Sequence, residues 1–304
     1  MGLAVSGGPD SLALLLLAHA ALPGEVCVAS VDHGLRPEAA REVAFVGKVC
    51  AALDVPFAPL TVQVAAGNIQ AKAREARYRA LGTWAKTEAL GAVATAHHAD
   101  DQAETLMMRL ARGSGLSGLA GVRAVSPLPD SDLTLLRPLL DWRKDELERV
   151  VADAGIAPAR DPSNADLAFD RVRMREHLAA HEDALPVDAL ALSAQHLSEA
   201  WRAIEWYAQL DWEEMVHREE GGPAFRYYAN VPRVIAIETM MRIIGDLGGV
   251  ATRSEAGRAY DRLWREENAS IAGVLIAPGI ERVAKVGVEM RVWRFVPEPP
   301  RAPH

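Results

Sequence analysis

Ser6-Gly7-Gly8-Pro9-Asp10-Ser11 follows a short apolar run, Gly2 to Val5, and precedes a helical one, Leu12 to Ala21. Where a strand, a glycine turn and a helix start meet, backbone N–H groups and the positive end of the helix dipole face whatever sits in the turn. That is an anion site, and phosphate is the anion it suits. Gly7 and Gly8 let the backbone approach closely. Ser6 and Ser11 add hydroxyls, and Asp10 is placed to cap the helix or to help hold a metal. The spacing is neither the Walker type nor the dinucleotide G-x-G-x-x-G. Taken alone, it also reads as a glycine turn without a ligand.

Three further groups carry chemistry. Asp32-His33-Gly34-Leu35-Arg36 places a carboxylate, an imidazole and a guanidinium within five residues. Asp32 could accept a ribose hydroxyl or a base amino group, and Arg36 could clamp a phosphate. In isolation a capped loop with a surface ion pair explains these residues better. His97-His98-Ala99-Asp100-Asp101-Gln102-Ala103-Glu104 is dense in metal-capable groups. On a helix, His97 with Asp101 and Asp100 with Glu104 share faces at i, i+4, which suits Mg²⁺ or a substrate amine. A well-capped helix alone would explain Asp100. A zinc site is not indicated, since no thiolate or third histidine is near. Arg74 and Arg77 share a face at i, i+3, as do Arg171 and Arg175 at i, i+4, with Arg173 between them. Phosphate contact and a solvated face are both open readings of these arginines.

The elements that must position these groups alternate. Val26 to Val31, Phe57 to Val62, Ala92 to Ala96 and Leu133 to Leu136 read as short buried strands. Segments near 38–53, 69–89 and 100–112 have helical length and apolar spacing. The fold class this implies is α/β, a parallel sheet with helices on both faces, whose ligands bind beyond the carboxyl ends of the strands. The polar residues just named follow those strand ends. Past about Pro186 the alternation stops. Ala189 to Met215, Arg233 to Leu247 and Arg253 to Glu267 read as helices, and Ala272 to Ile276 and Val283 to Phe295 as short β runs. Two domains are expected, 1–185 and a smaller, mostly helical 186–304.

The chain has 304 residues, 50% hydrophobic and 24% charged, with a net charge of −8. That is ordinary globular composition, and the acidic balance argues against nonspecific nucleic-acid binding but not against a local basic surface. No apolar run reaches membrane-spanning length, so a cytoplasmic protein is expected. Cys27 and Cys50 form no CxxC and no zinc spacing, and read as buried free thiols.

The loop SGGPDS resembles the pyrophosphate loop of the N-type ATP pyrophosphatases. Together with VDHGLRPEA, GNIQAKAREARYRAL, TAHHADDQAETLMMRLARGSGLSGLAGV, LLRPLL and DPSNADLAFDRVRMRE, it resembles the tRNA(Ile)-lysidine synthase family over about residues 3–180. One departure is Val172, where the family's R-N-x-x-R carries asparagine. The start is also abrupt, which leaves room for an upstream start, and the resemblance implies a short form of the family. It implies that ATP adenylates O2 of the wobble cytidine in a CAU anticodon, and that free L-lysine then displaces AMP. Ser6, Gly7, Gly8, Pro9, Asp10, Ser11, Arg36 and His97 would bind ATP. Asp10, Asp100 and Glu104 would hold Mg²⁺. Asp32, Asp101, Arg74, Arg77 and His98 would be catalytic, with Asp101 or Asp32 taking the proton of the lysine amine. Arg171, Arg173, Arg175, Arg258 and Arg262 would contact tRNA(Ile). A homodimer is compatible with the family. The alternatives are a tRNA thiolase or another base-adenylating enzyme of the same superfamily, and a nucleotide-binding module without catalysis.

Overall fold

In the computed structural model, which describes residues 1–34, 37–63, 69–159, 166–283 and 287–298, the expected alternation builds a six-stranded sheet. Strand β1 (Gly2–Ala4) leads into α1 (Pro9–Ala21), β2 (Cys27–Asp32), α2 (Pro37–Ala52), β3 (Phe57–Thr61), α3 (Ile69–Thr87) and β4 (Ala92–Ala94). Then follow α4 (Ala99–Leu110), the short α5 (Leu116–Leu119), β5 (Val125–Pro127), β6 (Thr134–Leu136), α6 (Lys144–Asp153) and α7 (Asp170–Ala180). The sheet order is β3-β2-β1-β4-β6-β5. Leu3 stands opposite Val28 on one side and Ala94 on the other, in parallel register. Only β5 runs antiparallel, against β6. Its sequence, Val125-Ser126-Pro127, gave no strand signal. It is an edge strand with Val125 exposed, and proline is tolerated at an edge because one side of the strand needs no donor.

Helix α1 is leucine-rich on every side, so it must be covered on every side. Leu12, Leu14 and Leu15 are fully buried in one core that also takes Leu3, Val28 and Leu147 of α6. The opposite face of the sheet packs Ala29, Val93 and Leu135 against Tyr78, Leu81 and Trp84 of α3. Side chains alternate between the faces along each strand. Val93 lies with α3 and Ala94 with α1, and the same alternation continues past the end of β4 to the two histidines.

By contacts the chain forms two compact units, Met1–Ser198 and Glu199–His304. Helix α8 (Val187–Met215) runs through the division. Its first turns belong to the first unit, where Val187, Leu190 and Ala191 pack with Ala99, Ala103 and Leu178. The second unit continues with β7 (Val216–Arg218), β8 (Phe225–Tyr227), α9 (Arg233–Asp246), α10 (Arg253–Leu263), β9 (Ala269–Ile271), β10 (Val274–Val283) and β11 (Val288–Pro297). The first late apolar run extends into a longer strand than expected and the second starts later, and both pair in a five-stranded antiparallel sheet of order β7-β8-β11-β10-β9. Helices α9 and α10 cover it through Ile237, Met240, Ile243 and Leu263, against Trp293 and Phe295. Asp211 of α8 is buried there and accepts hydrogen bonds from Tyr227 Oη (2.7 Å) and Thr239 Oγ1 (2.6 Å). Among the described residues no helix is long and apolar enough to cross a membrane.

Candidate active site

The turn after β1 is built as the sequence implies. Gly7 has φ +89°, a conformation that a side chain would strain. Its carbonyl accepts from Ala159 N–H (2.9 Å). Ser11 Oγ accepts from Ser6 N–H (3.1 Å) and donates to the Gly8 carbonyl (3.0 Å), which ties the turn to α1. Pro9 opens the helix, and no side chain caps its start. The N–H groups of Asp10 and Ser11, in the first turn, therefore have no acceptor within the helix. Asp10 points one oxygen, Oδ2, at His98 Nε2, 3.6 Å away, while its Oδ1 is buried without a partner.

Two histidines leave the end of β4 toward opposite faces. His98 is 3% exposed. Its ring lies 3.4 Å from Asp100 and 3.6 Å from both Asp10 and Asp101, which are ion-pair distances. Burial works against its charge, but the surrounding carboxylates prevail and raise its pKa to about 10. His98 is therefore a fixed imidazolium that joins Asp10 to Asp101, and its enclosure suits positioning rather than proton transfer. His97 goes the other way. Its Nδ1 lies 3.0 Å from Thr95 Oγ1. Burial lowers its pKa to about 4, Asp101 opposes this, and Arg137, Arg74 and Arg77 add to it. His97 is neutral at physiological pH.

The carboxylates of α4 divide, Asp100 and Asp101 facing the His98 ring and Glu104 facing α7. Asp100 accepts from Lys144 N–H (2.9 Å) and lies 3.5 Å from Arg143 Nε. Burial raises its pKa, yet His98, the Lys144 N–H and Arg143 bring it down to about 2. Glu104 is 1% exposed, and both its oxygens are taken, Oε2 by Arg171 Nε (2.6 Å) and Oε1 by Arg175 Nε (2.7 Å). Arg171 Nη2 also donates to Asp101 Oδ1 (2.6 Å), while Asp101 Oδ2 accepts from His98 N–H (3.1 Å). Two expectations change here. Glu104 anchors α7 rather than a metal, and among the described residues no three His, Cys, Asp or Glu side chains form a metal cluster. Arg171 and Arg175 do share a face, but it is turned onto α4. Arg173 is engaged with Asp170 and with the carbonyls of Leu167 and Ala168. These arginines are bound to the protein rather than extended toward a phosphate. A buried carboxylate left without a cation is costly, so guanidiniums fold onto it, and helical spacing cannot show which face is covered.

On the α3 side, the guanidinium carbons of Arg74 and Arg77 lie 5.1 and 5.2 Å from the Tyr78 ring centre. Asp32 closes β2, and its Oδ1 accepts from Gly34 N–H (2.8 Å). Arg36 lies outside the described residues, as do Asp161 to Asn164. In the second unit Arg258 is exposed, and Arg262 Nε donates to the Asn268 carbonyl (3.1 Å) and lies 3.5 Å from Glu267.

Residues 1–182 match the PP-loop domain family. The chain is 44% identical to the tRNA(Ile)-lysidine synthase of Novosphingobium aromaticivorans over 295 residues, 96% of this chain and 87% of that protein. It is 41% identical to the tRNA(Ile)-lysidine synthase of Ruegeria pomeroyi, over 91% of this chain and 68% of that protein. The chain belongs to the tRNA(Ile)-lysidine synthase family. Among solved structures, the U34-tRNA thiolase of Methanococcus maripaludis shares the fold, with a TM-score of 0.55 at 17% identity over 66% of this chain and 71% of that one. ATP binding follows from the PP-loop domain. For a member of the lysidine synthase family, sequence reasoning passed over Thr95, Arg137 and Arg143. Arg137 stood in the LLRPLL segment, which had no role assigned. A lone charge at the end of an apolar strand was the signal. Cys27 starts β2 and Cys50 lies buried in α2, so neither thiol stands at the strand ends where the site is.

Proposed function

We propose that this protein joins L-lysine to C2 of the wobble cytidine of tRNA(Ile) with a CAU anticodon, through an adenylated cytidine, releasing AMP and pyrophosphate. The observation that carries this reading is the uncapped, glycine-lined start of α1. There Asp10 faces the His98 imidazolium through Oδ2, while its buried Oδ1 has no hydrogen-bond partner. In this reading the loop Ser6 to Ser11 cradles the pyrophosphate and offers the N–H groups of Asp10 and Ser11 to charge growing on the leaving oxygens. The donor set fits Mg²⁺ at Asp10, because this cation takes one or two carboxylates and fills its other positions with water and phosphate oxygens. Bound there, Mg²⁺ would neutralise the leaving pyrophosphate. Asp100 and Glu104 are occupied by other partners and serve as anchors.

The attacking amine must be neutral, and a free lysine amine has a pKa near about 10.4. Asp101 lies 3.6 Å from the His98 ring that also faces Asp10, so it stands beside the pyrophosphate site. Asp32 at the end of β2, or Asp101 on release from Arg171, orients the ammonium and takes its proton. Exposed Arg258 on α10 contacts tRNA phosphate. The test is incorporation of radiolabelled lysine into tRNA(Ile) with a CAU anticodon, with ATP and Mg²⁺, against tRNA(Met). Incorporation into the first alone, lost in Asp10→Ala, is the expected result. RNA-dependent pyrophosphate release without lysine transfer would keep adenylation and reject lysine as nucleophile.

A further inference from the structure

Trp264 stands at the C-terminal end of α10 with half of its surface in water, although the aromatic ring it stacks on is covered. That ring is Tyr260, one turn back, with an interplanar angle of 13° and ring centres 5.5 Å apart. Arg291 of β11 sets its guanidinium carbon 3.9 Å from the centre of the Trp264 ring. Tyr260 belongs to the core of the second unit and meets Trp293 edge-on, so Trp264 lies as a plate on that core. A flat ring that rests on its neighbours and is still 49% exposed turns its other face to solvent.

The surroundings point to what that face takes. Arg291 forms no ion pair among the described residues, and its Nη1 is buried without an acceptor. Ile280 stands opposite Arg291 in the β10–β11 register and is 64% exposed, which puts an open apolar side chain on the same sheet face as Arg291. Arg258 on α10 and Arg265 just beyond it are exposed. The carboxylates within reach of them are Glu255 and Asp261. Both are engaged elsewhere, Glu255 with Thr252 and Asp261 with Arg233. Free guanidiniums beside an open aromatic face suit a polyanion, and in a chain of net charge −8 such a place is local. An unpaired nucleotide satisfies both parts, since its base stacks on the ring and its phosphate meets the cations. Every base has a π face, so such a contact grips without reading sequence.

We propose that Trp264, backed by Arg291 and flanked by Arg258 and Arg265, is a stacking platform for one unpaired nucleotide of the tRNA. The identity of the RNA rests on the lysidine-synthase reading. The platform adds a stacking contact to the phosphate contact of Arg258. It is built wholly from residues of the second unit, and none of the residues given a part in the chemistry belongs to it.

The test uses the full chain, with tRNA(Ile) and a short single-stranded oligonucleotide as probes. Trp264→Ala should weaken both by about five- to a hundredfold. It should leave the dependence of affinity on salt as in the wild type, because the lost contact is uncharged. Trp264→Phe keeps a ring and should retain most of the affinity, yet lose much of the tryptophan fluorescence quench that RNA causes. Trp206, also exposed, on α8, is the control. Unchanged RNA affinity in a folded Trp264→Ala, an undiminished quench in Trp264→Phe, or equal losses in Trp206→Ala overturns the platform. Should Trp264→Ala unfold, Trp264→Phe decides alone. If Trp264→Ala instead lowers the sedimentation mass of the protein alone and spares RNA affinity, the face belongs to a second copy of the chain and the platform is overturned. Intact tRNA binding by the wild type leaves the lysidine-synthase reading standing in each of these cases, whereas a wild type that binds no tRNA overturns both.

Discussion

A protonated ring among three carboxylates makes His98 the pivot of the acidic half, and pH should expose its role. Its pKa rises from 6.5 to about 10 on folding, so the stability it lends is complete below pH 6.5 and disappears as pH climbs to about 10. His98→Gln should cost about 3–5 kcal/mol at neutral pH, because it leaves buried carboxylates without their cation. Urea midpoints of wild type and variant should converge between pH 7 and 10, and a gap that stays constant would deny the charge on His98. His97 acts in the opposite sense. With a pKa lowered to about 4, it resists a proton that the unfolded chain accepts below 6.5, so the native state loses stability between pH 6.5 and 4. His97→Gln should flatten that part of the curve. Asp100, held near about 2, contributes above its ordinary value of 3.8 and loses that contribution as pH falls toward 2. None of these directions was legible in the dipeptide His97-His98. They depend on which face of the sheet each ring enters.

At the scale of elements, α4 and α7 are held together by Glu104. Glu104→Gln leaves two guanidiniums on a buried neutral amide, and it should destabilise the chain by about 3–5 kcal/mol. Amide hydrogen exchange should rise first in Asp170–Ala180, and protection unchanged in that helix would deny the anchor. The short link between β9 and β10 offers a gain instead. Ala272 has φ +52° and Gly273 φ +78°, the signature of a two-residue hairpin turn. Alanine there is strained and exposed, so Ala272→Asn should stabilise the second unit by roughly 0.5–1 kcal/mol, read as a higher thermal midpoint. Periodicity marked nearly every helix of the chain, because an apolar face repeats whatever it packs against. It missed the three-residue strands β5, β7, β8 and β9, the four-residue α5, and α6, where only Leu147 and Val151 are fully buried.

For the molecule as a whole, a net charge of −8 means that any grip on tRNA must come from local clusters. Arg258→Gln should weaken tRNA binding, reduce its salt slope by about 1, and leave ATP binding unchanged. A salt titration of tRNA affinity checks this, and an unaltered slope would remove Arg258 from the interface. Arg262→Gln should act more on stability, since its guanidinium holds the chain beyond α10 at the Asn268 carbonyl.

The amino-acid sequence determined the glycine turn before α1, the α/β alternation and the family, because each is written in neighbouring residues: two glycines ahead of a helix, apolar spacing, and motifs in a fixed order. It also placed Asp10, Asp101, Arg74 and Arg77 among the residues to inspect. Only the tertiary structure decided what each charge meets. It turned Arg171 and Arg175 inward, made Glu104 an anchor, set one histidine among acids and the other among arginines, and left Arg137 buried without a counter-ion among the described residues. The reason is that spacing along a chain fixes a shared face, whereas charge, burial and pKa depend on the groups that other elements bring to that face.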